Sequence, residues 1–154
     1  KIPVIAAGGI GTGRTMLAVM ALGADGVQIG SRFVAATESS AHLNFKNRVV
    51  GTNEGDTSLT LKEVTPVRLI KNEFYNKIQE AYNHHATTET LKEILGRGRA
   101  KKGMFEGDMM EGELEIGQIA SLIKEVKPAA DIMDEILGEF HEIRRQLISN
   151  NYDF

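Results

Sequence analysis

The chain contains no cysteine and no tryptophan, and only three prolines in 154 residues. Without cysteine there is no disulfide framework, no thiolate metal site and no cysteine nucleophile, and a cytoplasmic setting is the expectation. No sign of charge dominates: 18 Lys and Arg stand against 21 Asp and Glu, for a net charge of −3. A dedicated nucleic-acid binder needs a basic face to displace counterions, so no nucleic-acid partner is expected. Long apolar runs are missing too. The longest, residues 2–10, falls well short of the roughly 20 residues that span a bilayer. Nothing reads as a basic-then-apolar secretory segment, and no membrane partner is expected. What is present is a globular composition, 42% hydrophobic and 25% charged, long enough to bury a core.

The chain opens on Ile2-Pro3-Val4-Ile5-Ala6-Ala7, apolar on both faces and stopped by Gly8-Gly9. That pattern predicts a parallel strand covered on two sides, with neighbours on both edges. One neighbour is evident, Gly26-Val27-Gln28-Ile29-Gly30. Between them Met16, Leu17, Val19 and Met20 give residues 12–22 a helical apolar face, and Gly23 supplies a stop signal. Together these predict a β-α-β unit with a right-handed crossover. After Ser31 helical periodicity takes over. Ser39 or Ser40 is expected to cap a helix through residues 45–50 that ends at Gly51, and residues 58–64 read as a short extended piece. Further helices are predicted over 67–82, 88–95 and 113–126, and Pro128 opens a last one with Ile132, Ile136, Phe140, Ile143 and Leu147 on one stripe.

The informative feature is a pair of glycine-rich turns at the carboxyl ends of neighbouring parallel strands, Gly8-Gly9-Ile10-Gly11 after the first and Gly30-Ser31 after the second. Adjacent strands lie about 4.8 Å apart, so N–H groups from both turns can converge on one tetrahedral anion. Glycine permits close approach, the helix start adds a positive dipole end, and the Ser31 hydroxyl can donate to the same phosphate. In barrel enzymes the recurrent phosphate site lies at this place, after strands seven and eight. The bland alternative is that the glycines only make tight β-α turns. A dinucleotide fingerprint does not fit, since Gly9, Gly11 and Gly13 miss the G-x-G-x-x-G spacing and the second strand presents Gln28 where a ribose-binding acid belongs. Gln28 itself reads either as a buried amide satisfied by backbone or as a side chain aimed at a ligand.

Four stretches carry a resemblance: Pro3-Val4-Ile5-Ala6-Ala7-Gly8-Gly9-Ile10; Gly23-Ala24-Asp25-Gly26-Val27-Gln28-Ile29-Gly30-Ser31-Arg32-Phe33; Glu38-Ser39-Ser40-Ala41-His42; and Val67-Arg68-Leu69-Ile70-Lys71-Asn72. In this order, with Gly117-Gln118-Ile119-Ala120 near the end, they resemble the FMN-dependent nitronate monooxygenases, formerly 2-nitropropane dioxygenases, a family that includes the enoyl-ACP reductase II enzymes. The resemblance implies an α/β fold: the carboxyl-terminal part of a TIM (β/α)8 barrel, its last two βα units, followed by a mainly helical extension. Residues 1–36 are then the barrel units, 37–149 the helical region and 150–154 a frayed tail. A barrel needs about 250 residues and eight strands, so the chain reads as a fragment lacking the amino-terminal barrel segment. By motif match, Gly9, Gln28, Ile29, Gly30 and Ser31 would hold the FMN phosphate, Gly8 would help shape the turn of this cofactor site, and Gln118 is a further candidate near the flavin.

The resemblance places the catalytic histidine upstream of Lys1, so no catalytic residue is expected within the chain, and the chain alone is expected to be inactive. The implied activity is FMN-dependent oxidation of a small-molecule nitronate by dioxygen. The alternative is reduction of an enoyl thioester with NADH or NADPH as donor and an acyl-carrier protein as partner; an oligomer is possible in either case. A reading of another class is a non-catalytic phosphate-binding α/β module. His42 reads as a packing residue, and adjacent His84 and His85 diverge by about 100° on a helix and cannot share a metal. The acidic residues Glu106, Asp108, Glu111, Glu113 and Glu115 lack a calcium-loop pattern, and no metal is expected. Arg97, Arg99, Lys101 and Lys102 read as a solvated basic loop, or as a lip that steers an acidic carrier.

Overall fold

The two glycine-terminated segments pair in parallel: Ile5–Ala7 (β1) lies against Gly26–Gln28 (β2), with Ile5 opposite Gly26 and Ala7 opposite Gln28. This computed structural model describes residues 2–149, so the expected frayed tail at 150–154 lies outside the described residues. The crossover helix is Gly13–Ala21 (α1), started by a reciprocal capping box in which Thr12 and Thr15 satisfy each other's backbone N–H groups. Gly23 turns the chain out of α1 at φ +104°. Val4 and Ile5 remain more than half exposed, at 59% and 54%, so the cover that their pattern predicts is not supplied by residues 2–149.

One turn of helix, Ser31–Val34 (α2), follows β2, and Leu43–Val50 (α3) comes next, closed by Gly51. The cap of α3 is His42, not Ser39 or Ser40: its Nδ1 accepts the Asn44 N–H at 3.1 Å, while Ser39 Oγ accepts from Ala41 in the preceding turn. The larger departure concerns residues 67–82. Thr57–Thr60 (β3) and Val67–Ile70 (β4) form an antiparallel hairpin, and the helix begins only at Glu73–Asn83 (α4). Leu69, Ile70, Phe74 and Ile78 fit a helical period by coincidence. Tertiary pairing decides otherwise, because Ile70 N–H donates to the Leu114 carbonyl and Ile116 N–H to the Arg68 carbonyl, flanking β4 on its second edge. Asn72 then caps α4 by accepting the Tyr75 N–H at 3.0 Å.

The same pairing removes the helix expected over 113–126. Residues 113–116 run extended beside β4, and only Gln118–Leu122 is helical, as a 3₁₀ segment. Thr88–Leu95 (α5) is as expected, with Thr87 as its cap, and the basic segment forms a short helix, Arg99–Met104 (α6). The last helix, Ala129–Ser149 (α7), buries Ile132, Ile136 and Ile143 of the expected stripe. No helix among the described residues is long and apolar enough to cross a membrane.

Helix α7 returns to the strand end of the molecule. Ile132 and Ile136 pack with Ala36 against Met16, Ile29 and Phe33. Gly13 lets the helices meet, since a Cβ there would overlap the Phe140 nitrogen and the Ile136 carbonyl oxygen. The chain between α2 and α7 leaves and re-enters through a narrow neck: Thr37 N–H donates to the Lys127 carbonyl at 3.0 Å, and the Glu38 carboxylate accepts the Ala129 N–H at 2.9 Å. Beyond it lie two cores, one around Phe45, Val49, Ile70 and Leu114, the other around Leu61, Leu69, Phe74, Ile78 and Leu91.

Candidate cofactor site

Gly8 and Gly9 sit at φ +84° and +71°, the left-handed region that glycine enters at least cost. A Cβ at either would meet no atom within 4 Å, so the turn is an open cradle. It forms one wall of a cleft of about 230 Å³ whose other walls are Gln28, Gly30, Ser31, Gly117 and Ile119. Both glycine turns therefore face one space. Gln28 is exposed on the cleft wall. Ile29 is not among the residues that line the cleft; its side chain packs into the α7 contact.

One expected contribution is corrected. The start of α1 is not available to an anion: its Gly13 N–H already donates to Glu139 Oε2 at 2.7 Å, and the Thr12 and Thr15 side chains take the neighbouring N–H groups. The uncapped helix start at this edge is α2, where Gly30 precedes Ser31 with no side-chain cap. A short extra helix after the last strand is the element that completes the phosphate site in barrels of this type. Ser31 Oγ accepts the Gly117 N–H at 2.9 Å, which fixes the hydroxyl while leaving its own proton to donate. Gly117 has no side chain to spare at that point, since a Cβ would strike the serine oxygen.

A second cleft, of about 500 Å³, adjoins the first through Gly9 and Ile119. Gln118 lines this cleft and not the first, together with Asn53, Gly55, Thr57 and Arg68. The sequence does not single out Gly117, residues 53–57 or Arg68 as site residues; Gly117 stands beside a named candidate, whereas nothing in the sequence brings residues 53–57 to Gly9. The side chains weighed as bystanders stay outside both clefts. Arg99 stacks on Phe74 at 4.5 Å and donates to the Ile94 and Leu95 carbonyls. Lys101 pairs with Glu106 and Lys102 with Asp108, so the basic loop is largely neutralised by the acidic stretch after it. Arg32 lines neither cleft and pairs with Glu135 at 2.9 Å; Lys127 holds that same carboxyl below the usual range.

Two parallel strands joined by a helical crossover, with a one-turn helix after the second and a glycine-lined cleft at their carboxyl ends, fit the closing part of a (β/α)8 barrel followed by a mainly helical extension. The chain matches the nitronate monooxygenase family over residues 1–139 and belongs to it. It is 33% identical over 145 residues to a probable nitronate monooxygenase of Staphylococcus saprophyticus, covering 93% of this chain and 40% of that protein. Among solved structures, FabK from Thermotoga maritima superposes with a TM-score of 0.87 at 40% identity, over 96% of this chain and 47% of that one. A nitroalkane oxidase from Streptomyces ansochromogenes gives a TM-score of 0.71 at 32% identity, over 96% and 42%. The chain thus spans about 40% of the length of the curated relatives it matches.

Proposed function

We propose that these residues form the phosphate-binding end of an FMN-dependent oxidoreductase of the nitronate monooxygenase type, in the cytoplasm, whose remaining barrel strands and catalytic histidine lie on polypeptide preceding Lys1. The observation that carries the reading is the cradle itself: two left-handed glycines with open space beyond them, facing a serine hydroxyl whose orientation is fixed by the Gly117 N–H. Gly8, Gly9, Gly30 and the Ile29 backbone would approach the FMN phosphate, Ser31 would donate to it, and Gln28 and Gln118 would border the rest of the cofactor. FMN, when bound, supplies the redox chemistry, and the protein supplies position and exclusion of competing reactions. The exposed apolar face of Val4 and Ile5 supports a barrel continued by further strands, and a chain of two strands by itself would be inactive.

We also propose a division of the chain. Residues 1–36 with α7 form the last two βα units, α7 being the outer helix that follows β2, and the region between the neck contacts at 37 and 127 is an insertion within the final unit. The region 37–149 is then not one continuous extension.

The Thermotoga relative is FabK, an enoyl-ACP reductase II, and its likeness favours the second reading, an enoyl thioester reduced with NADH or NADPH and delivered by an acyl-carrier protein. The neutralised basic loop gives that carrier little to dock on. The test uses the full-length protein. It should purify with FMN, consume dioxygen on addition of a nitronate, and lose about tenfold in FMN affinity on Ser31→Ala, from one charge-assisted hydrogen bond. NADH oxidation that depends on crotonyl thioester, without nitronate-driven oxygen uptake, would instead establish the reductase. Protein that binds no FMN would return the non-catalytic module to first place.

A further inference from the structure

The 500 Å³ cleft beside the glycine turn contains one cation whose charge the fold does not answer. Arg68, on β4, is half-buried, lines this cleft, and forms no ion pair among the described residues. Arg32 and Arg99, also partly buried, are paired with Glu135 and Glu111, whereas the partly buried Arg48 lies outside this cleft and donates to the Lys71 carbonyl. Arg68 is nonetheless held in place. Its Nη1 donates to the Thr57 hydroxyl at 3.1 Å and to the Thr57 carbonyl at 3.3 Å, across the β3-β4 hairpin. Two bonds from one nitrogen fix the guanidinium plane. They leave the Nε–Nη2 edge without a protein partner among the described residues, and that edge carries two parallel N–H groups. Glu54 lines the same cleft but lies beyond ion-pair distance. A fixed, half-desolvated guanidinium with a vacant two-donor edge is matched by a planar group bearing two oxygens and a negative charge.

We propose that Arg68 is a substrate-anchoring residue, which takes the two oxygens of the anionic nitronate on its free edge while Thr57 holds the guanidinium in plane. The inference rests on the flavin reading of the neighbouring cradle and deepens it. Gly9 and Ile119 are shared by both clefts, so an anion held on Arg68 sits beside the cofactor and not on its phosphate. The arginine thereby selects the ionised nitronate over the neutral nitroalkane, which lacks the charge that the guanidinium answers.

The test uses full-length protein with Arg68→Gln, Arg68→Lys and Thr57→Val. Nitrate, a planar oxyanion, serves as a non-reacting probe, and its binding is measured by calorimetry with and without FMN. In Arg68→Gln, nitrate affinity should fall, and KM for nitronate rise, by about 10- to 100-fold, the loss of a bidentate charge-assisted pair. Arg68→Lys should recover only part, and Thr57→Val should fall between. FMN affinity should not change. Unaltered nitrate affinity and KM in Arg68→Gln would overturn the proposal. So would a loss of FMN from that variant, which would assign the arginine to the cofactor, or a rise in KM confined to NADH, which would assign it to a nicotinamide pyrophosphate. Wild-type protein without FMN would refute the flavin reading, and nitrate calorimetry on wild type and Arg68→Gln would still decide the role of Arg68.

Discussion

A single methyl group placed on either of two facing helices should change stability in opposite directions. Gly13 starts α1 where α7 passes, and a Cβ there would overlap the backbone of Phe140 and Ile136, with the Glu139 carbonyl carbon at 2.8 Å. Backbone cannot rotate aside, so Gly13→Ala must push the helices apart. Overpacking of this kind costs about 1–3 kcal/mol. Separation also weakens the hydrogen bond from Gly13 N–H to the Glu139 carboxylate at 2.7 Å, a charge-assisted contact of about 1.5–3 kcal/mol. Against this, alanine in place of glycine gains at most about 1 kcal/mol in helix propensity. A net loss of about 2–4 kcal/mol follows, which for a domain of this size lowers Tm by roughly 5–15 °C. Gly138, on α7 itself, has nothing within 4 Å of its Cβ position, so Gly138→Ala should add about 0.5–1 kcal/mol. Urea and thermal unfolding followed by circular dichroism read both. A Gly13→Ala variant within 0.5 kcal/mol of wild type, the usual effect of a neutral substitution, would refute the close helix crossing and with it the assignment of α7 to the barrel.

Two carboxyls predict opposite pH behaviour. Burial first, and then the Glu115 charge, push Glu113 up to about 7, with Arg99 opposing. The folded state therefore holds a proton that the unfolded state has released, stability falls as pH rises from about 4.5 to 7, and Glu113→Gln should be more stable than wild type by up to about 3 kcal/mol at pH 8 and equal to it at pH 4. Unfolding titrations at the two pH values check this, and equal differences at both would refute it. Asp108 is held down at about 2 by the Glu111 N–H, by Lys102 and by the Met110 N–H. Its contribution is complete above about pH 4 and lost as pH falls toward 2. Asp108→Ala should accordingly unfold earlier in acid, with the gap to wild type closing near pH 2; a gap that persists there would show that the carboxylate charge is not its source.

What the sequence disclosed and what it concealed divide along the range of the interactions. The β-α-β unit was legible because its signals are local: an apolar run ended by Gly8-Gly9, the apolar face of residues 12–22 and a Gly23 stop lie within one short stretch. The glycine cradle was legible for the same reason. Residues 67–70 were misread because their apolar spacing suits a helix as well as a strand, and the deciding partners, Thr57 to Thr60 on one edge and Leu114 to Ile116 on the other, are remote in sequence. The second cleft was invisible for a stronger form of that reason, since residues 53–57, 68 and 118 meet Gly9 only after the inserted region has folded back. Periodicity predicted the apolar stripe of α7 and carried no information on its partner, α1.

The contact between Ser31 and Gly117 is where the two levels meet. Ser31 belongs to the local motif at the end of β2, and Gly117 to the extended segment that returns from the inserted region along β4. The hydroxyl that would bind phosphate is thus aimed by backbone 86 residues away. That same backbone continues directly into Gln118 and Ile119, which wall the second cleft. Loss of the Ser31–Gly117 hydrogen bond should therefore be felt in both clefts. The proposed cofactor cradle and the proposed substrate cleft thus share one backbone segment, and a side chain at 117 would strike the serine oxygen that faces the cradle.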